Sequence, residues 1–265
     1  MGEQRVKLSI DDGIALVTLS RPEKHNAIDA AMFDGLASTT ERLAAEHSLR
    51  AVVLHGEGPS FCTGLDFPSV IASGGLDAQL DELWAERPNR FQRAAYDWIR
   101  LPVPVIAAVH GACFGGGLQI ALAADIRLAT ADARLSVMEV TYGLVPDMAI
   151  TRTLPRLVGI DVAKELTYTG RIVSGAQAAE VGLVTHVADD PLAAARELAR
   201  EIAARSPDAV RAAKRLFDEA WCDRSAERTL TLEAELQLGL ISSQNQIEAV
   251  NAALGKRSPS FADPV

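Results

Sequence analysis

No apolar run in this chain approaches the roughly 18 residues of a membrane span, and Met1 to Val6 carries no apolar leader, so the sequence predicts a cytoplasmic protein. Cysteine is scarce. Cys62, Cys113 and Cys222 are an odd, scattered set without CxxC spacing, which suits reduced thiols and excludes a zinc site. Basic residues are outnumbered, 26 Lys and Arg against 35 Asp and Glu, and the net charge of -9 argues against nucleic acid as a partner. Three common catalytic signatures are also missing: GxGxxG, the Gly-Lys-Ser/Thr of a P-loop, and the GxSxG elbow. No low-complexity segment or fixed-period repeat interrupts the chain.

What is present is enough apolar material for a large core, 48% of 265 residues. Alternation over Val6 to Ile10 and Ile14 to Leu19, split by Asp11-Asp12-Gly13, predicts a β-hairpin. Helical spacing runs from Asp29, a suitable N-cap, to about Glu46. Strand, turn and helix units then recur to about Val187, which predicts a mainly parallel α/β core. The stretch from Asp66 to Arg100, broken at Gly74-Gly75 and Arg87-Pro88, is less regular and predicts a cover that shapes a binding site. Pro191 to Arg205, Pro207 to Ala220 and Ser225 to Gly255 all read as helical, so the expected division is a core over 1–190 and a helical region over 191–265.

Two turns carry the chemistry. Ser60 to Asp66 follows the apolar run Ala51-Val52-Val53-Leu54, and Gly111 to Gly117 follows Val105-Ile106-Ala107-Ala108-Val109. Both expose backbone amides after a buried strand, and the second opens a helix at Leu118, whose N-terminal dipole favours negative charge. Together they could form an oxyanion hole. Downstream, Glu139 and Asp147 stand eight residues apart around Gly143 and Pro146 in an apolar stretch. Such surroundings raise a carboxyl pKa toward the range useful for proton transfer. On spacing alone a structural reading stays open, with Glu139 capping one helix and Asp147 capping the next near Met148. His110 reads as a satisfied core residue, and His25 beside Arg21 and Lys24 as either a phosphate contact or a solvated basic turn.

These segments, in this order, resemble the crotonase superfamily, the enoyl-CoA hydratase and isomerase group, over nearly the whole chain. Arg21-Pro22-Glu23-Lys24-His25-Asn26-Ala27 is similar to that family's early CoA-binding turn, Phe61-Cys62-Thr63-Gly64-Leu65-Asp66 to its first oxyanion loop, and Gly115-Gly116-Gly117 to its second. Leu154 to Gly159, Leu166 to Arg171 and Ala178 to Val184 match later segments. The resemblance implies a spiral of ββα turns, a helical C-terminal region that makes trimers or dimers of trimers, and an acyl-CoA substrate with no further cofactor. It implies that the amides of Thr63 and Gly116 receive the thioester oxygen, and that Lys24, His25, Ala27, Thr63, Gly64, Leu65 and Asp66 contact CoA. Gly115, Gln119, Gly143 and Pro146 would line the site. Lys256, Arg257 and Phe261 would approach the CoA of the same or a neighbouring subunit.

One departure ranks the possible reactions. Hydratases of this family use two glutamates, and the first is Gln119 here, a group that orients water but accepts no proton. Glu139 remains, and with Asp147 it resembles the acid pair of dienoyl-CoA isomerases, although that group also has an acid where Gln119 stands. Double-bond isomerisation is therefore expected ahead of hydration, and a non-catalytic acyl-CoA-binding protein is the reading from another class.

Overall fold

The computed structural model describes residues 4–72, 88–221 and 225–264. Gly74-Gly75, Arg87 and Cys222, singled out from the sequence, lie outside the described residues. The predicted hairpin forms as β1 (Val6–Asp11) and β2 (Ile14–Leu19), in antiparallel register from Val6 opposite Leu19 to Asp11 opposite Ile14. Parallel pairing then adds β3 (Ala51–Gly56), β4 (Val105–Val109), β6 (Ile126–Ala129) and β9 (His186–Val187), giving a six-stranded sheet in the order β1-β2-β3-β4-β6-β9. A second sheet of β5 (Ala112–Phe114), β7 (Arg134–Ser136) and β8 (Val173–Ser174) has the order β5-β7-β8. The chain passes from the large sheet to the small one between β4 and β5, and again between β6 and β7. These steps are the winding of the expected spiral.

Central strands are apolar on both faces because both faces are covered. In β3, Val52 and Leu54 enter the main core while Ala51 and Val53 point the other way; in β4, Val105, Ala107 and Val109 alternate likewise with Ile106 and Ala108. The main core packs against α1 (Ala30–Ala44), whose N-cap Asp29 accepts from the Met32 amide at 2.8 Å and whose inner face carries Met32, Phe33, Leu36 and Leu43. Beside it lies α3 (Arg90–Arg100), started by a capping box of Asn89 and Gln92. Between them in sequence α2 (Phe67–Ala72) leaves the first loop, and after them α4 (Gly116–Leu122) leaves the second. The opposite face is covered by α8 (Pro191–Ala203), through Ala195 and Ala199. Thus the first C-terminal helix completes the second core of its own chain.

Connecting helices are α5 (Ile150–Leu157), α6 (Ile160–Thr169) and α7 (Gly175–Glu180). After α8 come α9 (Pro207–Ala220), α10 (Ala226–Leu240) and α11 (Gln244–Leu254). The helix expected over 225–255 is therefore two. Ser242 takes a left-handed φ of 66°, and Ser243 caps the next helix by accepting from the Gln246 amide. The periodicity is similar on both sides of the break, so only the turn reveals it. The tail folds back, with Asn245 making paired hydrogen bonds to the backbone of Ala262 and Arg50 holding Asp263.

One buried ion pair fixes the loop after β3. Arg21 Nη1 donates to Asp66 at 2.6 Å and to the Ala27 carbonyl at 3.0 Å, with both charged side chains only 9% exposed. Burial would raise the Asp66 pKa, but hydrogen bonds from Ser69 and Arg21 outweigh it and the net shift is downward. The pair thus stabilises the fold above the ordinary carboxylate range and is lost as pH falls through the lowered value. Asp66→Ala removes the short partner of Arg21 and leaves it the longer contact to Asp29 at 3.5 Å, and is expected to cost about 1.5–3 kcal/mol in urea unfolding at neutral pH. A cost below about 1 kcal/mol would show that the pair is not a structural anchor.

Candidate active site

The two turns foreseen from the sequence meet through the backbone. Phe61 donates to the His110 carbonyl at 2.9 Å, Cys62 to Ala112 at 3.1 Å, and Phe114 back to Cys62 at 3.0 Å. Glycine is required where they touch. A Cβ on Gly117 would sit 2.3 Å from the Cys62 carbonyl oxygen, and one on Gly64, which has φ +81°, would sit 2.8 Å from the Phe114 carbonyl and 3.2 Å from the Gly116 nitrogen. Gly116 is the first residue of α4, so its N–H has no acceptor within the helix. The Thr63 N–H is differently placed: it donates to the His25 carbonyl at 3.1 Å. An oxygen held at Thr63 has to share or displace that bond.

A cavity of about 360 Å³ opens at this junction, and its wall is mostly apolar. Thr63, Gly64, Leu65, Gly115, Gly116 and Gln119 line it, as do both acids, Glu139 and Asp147. Glu139 opens a 3₁₀ turn (Glu139–Tyr142) that ends at Gly143, in a left-handed conformation. Asp147 caps no helix, because α5 starts two residues later than the sequence suggested and its N-cap is Ala149, with φ 63°.

Gln119 ties this segment together. The amide of Met148 donates to Gln119 Oε1 at 2.8 Å, and Gln119 Nε2 donates to Glu139 Oε1 at 2.6 Å. A backbone N–H only donates, so the carboxamide oxygen must face Met148 and its NH₂ must face the carboxylate. Oε1 of Glu139 is thereby committed as an acceptor. Oε2 is buried with no partner among the described residues, which makes it the oxygen able to take up or release a proton. Burial pushes the Glu139 pKa up, the Gln119 hydrogen bond opposes this, and the Asp147 charge adds to the rise. Asp147, open to the cavity, is also raised, chiefly by desolvation against the apolar walls.

Several expected contacts do not reach this cavity. Asp66 accepts hydrogen bonds from Arg21 and Ser69 and does not line the cavity. Lys24, His25 and Ala27 lie outside the wall; His25 is exposed and its ring bonds Ser60 Oγ at 2.9 Å. Gly143 and Pro146 shape the acidic segment without lining the cavity. Arg257 is forked onto Glu248 at 2.6 and 2.8 Å, and neither it nor Lys256 nor Phe261 reaches the wall. His110 is satisfied by the Gly58 carbonyl at 2.9 Å. The thiols of Cys62 and Cys113 are buried and free, and burial pushes Cys62 up to about 12. Among the described residues no cluster of His, Cys, Asp and Glu could hold a metal ion, and no helix is long and apolar enough to cross a membrane. Sequence reasoning missed the apolar walls Ile28, Phe33, Met138, Tyr142, Leu144 and Met148, because their period marks a core face and not which gap that face encloses.

Comparison with known proteins gives a consistent result. The family model described as enoyl-CoA hydratase/isomerase matches residues 9–264. A probable enoyl-CoA hydratase of Bacillus subtilis is 33% identical over 97% of this chain and 98% of its own length. The mitochondrial Delta(3,5)-Delta(2,4)-dienoyl-CoA isomerase of Rattus norvegicus is 34% identical over 91% of this chain and 76% of its own. A crystal structure of enoyl-CoA hydratase from Bacillus anthracis superposes with a TM-score of 0.91 at 30% identity, covering 98% of this chain and 100% of that one.

The raised Glu139 pKa has a signed consequence for stability. Its folded form holds the proton more tightly than the unfolded chain, so that contribution is present at low pH and is lost as pH rises through the raised value. Glu139→Gln is therefore expected to gain thermal stability relative to wild type as pH increases from 4 to 8. Asp147→Asn, which removes a like charge, should move the Glu139 transition to lower pH. Parallel melting curves for wild type and Glu139→Gln would contradict a strained carboxylate.

Proposed function

Because the chain belongs to the enoyl-CoA hydratase/isomerase family, we propose that within that family it isomerises a double bond of an unsaturated acyl-CoA. The observation that carries this reading is the Gln119–Glu139 hydrogen bond. It replaces a second carboxylate with a neutral donor and leaves Glu139 Oε2 and Asp147 as the carboxyl groups of the wall.

In this reading Glu139 Oε2 removes a proton from the carbon next to the thioester carbonyl. Negative charge develops on the thioester oxygen, where the Gly116 N–H and the dipole of α4 stabilise it, joined by Thr63 once its amide turns from His25. One such donor is typically worth about 3 kcal/mol in the transition state. Asp147 then supplies a proton at the far end of the conjugated system, and the electron pair shifts along the chain. One proton leaves and one arrives, so no water is consumed. The raised pKa of both acids suits them to exchange roles near neutrality.

Hydration is the second reading, favoured by the relative from Bacillus subtilis named as a hydratase. There Gln119 Nε2 would help to hold Glu139 while that carboxylate alone both activates water and returns the proton. In either case the substrate carries its own CoA and no further cofactor is needed. The exposed Leu230 and Leu238 of α10, a helix with no buried residue, offer an apolar face to a further copy of the chain, which supports a homo-oligomer; a homotrimer or dimer of trimers in the cytoplasm is part of the same proposal.

Proton transfer is read directly by NMR in deuterated water, with 2-enoyl-CoA and 3,5-dienoyl-CoA as substrates. Bond migration with deuterium incorporation and no hydroxyacyl product is expected. Glu139→Gln should reduce it about 10²–10⁴-fold, and Asp147→Asn should act on the diene more than on exchange next to the carbonyl. A hydroxyacyl product formed as fast as, or faster than, bond migration would overturn the isomerase reading in favour of hydration.

A further inference from the structure

The active-site cavity ends in a wall that a second cavity shares. This second space, about 190 Å³, lies between α1, α2 and α3, and four residues line both: Ile28, Phe33, Leu65 and Phe91. The two spaces are thus separated by one layer of side chains. Phe33 and Phe91 form the aromatic part of that layer, edge to face with ring centroids 5.0 Å apart and planes at 86°. Both are nearly buried, at 5% and 9% exposure. Arg90 fixes their spacing, because it lies 5.8 Å over the Phe33 ring while its Nη2 bonds the Ala30 carbonyl and Asp34, pinning α3 to α1.

The layer stands close to the reacting centre. Ile28 Cδ1 is 3.3 Å from where a Cβ on Gly116 would lie, so the wall begins beside the candidate oxyanion donor. Tyr142 and Val145 also line the cavity but are exposed, at 55% and 76%, so the mouth lies at these residues and the closed side at the buried Phe33 and Phe91. An acyl chain whose thioester oxygen sits at Gly116 therefore runs inward, toward Phe33 and Phe91.

We propose that the Phe33–Phe91 pair is the chain-length stop of this enzyme. It confines the acyl group to the first cavity and holds the second in reserve, so that the substrate is a short unsaturated acyl-CoA. The proposal rests on the reading of the cavity as an acyl-CoA site, and not on whether the reaction is isomerisation or hydration. A chain too long for the first cavity must displace an edge-to-face pair clamped by Arg90, or leave its end in water. Shortening Phe91 opens the wall without touching Glu139, Asp147 or Gly116.

The test is equilibrium binding of saturated acyl-CoAs from butanoyl to dodecanoyl, which undergo no reaction and so separate this proposal from the chemistry. Wild type is expected to reach its tightest binding at a short chain and gain nothing beyond it. Phe91→Leu, which keeps most of the packing, and Phe91→Ala should both move the optimum to longer chains. About tenfold tightening is expected for every two methylenes that enter the second cavity. Val70 lines only the second cavity, so adding Val70→Phe to Phe91→Leu should restore the short-chain optimum by refilling that space. An unchanged length profile in Phe91→Leu, or an extended one that Val70→Phe does not reverse, would overturn the stop. Failure of wild type to bind any acyl-CoA would instead overturn the reading of the cavity on which the stop rests.

Discussion

Two loops held against each other by backbone hydrogen bonds set the geometry on which the rest of this molecule depends. The Cys62 carbonyl accepts from Phe114 and lies where a Cβ on Gly117 would be, 2.3 Å away. Only residues without a side chain allow that approach, and only a rigid sheet behind each loop can hold it. The large sheet supplies this rigidity, because β3 and β4 are adjacent parallel strands buried on both faces. Each loop leaves the same end of its strand, so strand pairing delivers the two sets of amides to one place.

Chemistry is added to that frame by a segment with little regular structure. The 3₁₀ turn at Glu139 and the loop to Met148 have few backbone hydrogen bonds of their own, and Gln119 supplies the missing link from the rigid helix α4. One side chain thereby orients a carboxylate, decides which of its oxygens is free, and anchors the loop that carries Asp147. A glutamate in that position could not satisfy Met148 and Glu139 together without a proton on one of the two acids. The glutamine is thus a difference in proton inventory as well as in shape.

The apolar half of the cavity is built by two parts of the chain: Phe33, Leu65 and Phe91 come from the packing around the core, and Met138, Tyr142, Leu144 and Met148 from the segment that carries the acids.

Much of this was legible in the residues. The hairpin, the Asp29 cap, the buried parallel strands and the two glycine-bearing turns follow from alternation, turn chemistry and apolar runs, which are local properties. Glu139 and Asp147 stood out because acids in an apolar stretch need a reason to be there. The Arg21–Asp66 pair joins residues 45 apart in sequence, so nothing near Asp66 marks its partner. The engagement of the Thr63 amide by His25, the break at Ser242 and the wall shared by two cavities were likewise hidden. Local pattern determined which elements form and which faces are apolar. Tertiary packing alone decided which polar groups were already partnered, because that depends on distances between segments far apart in the chain.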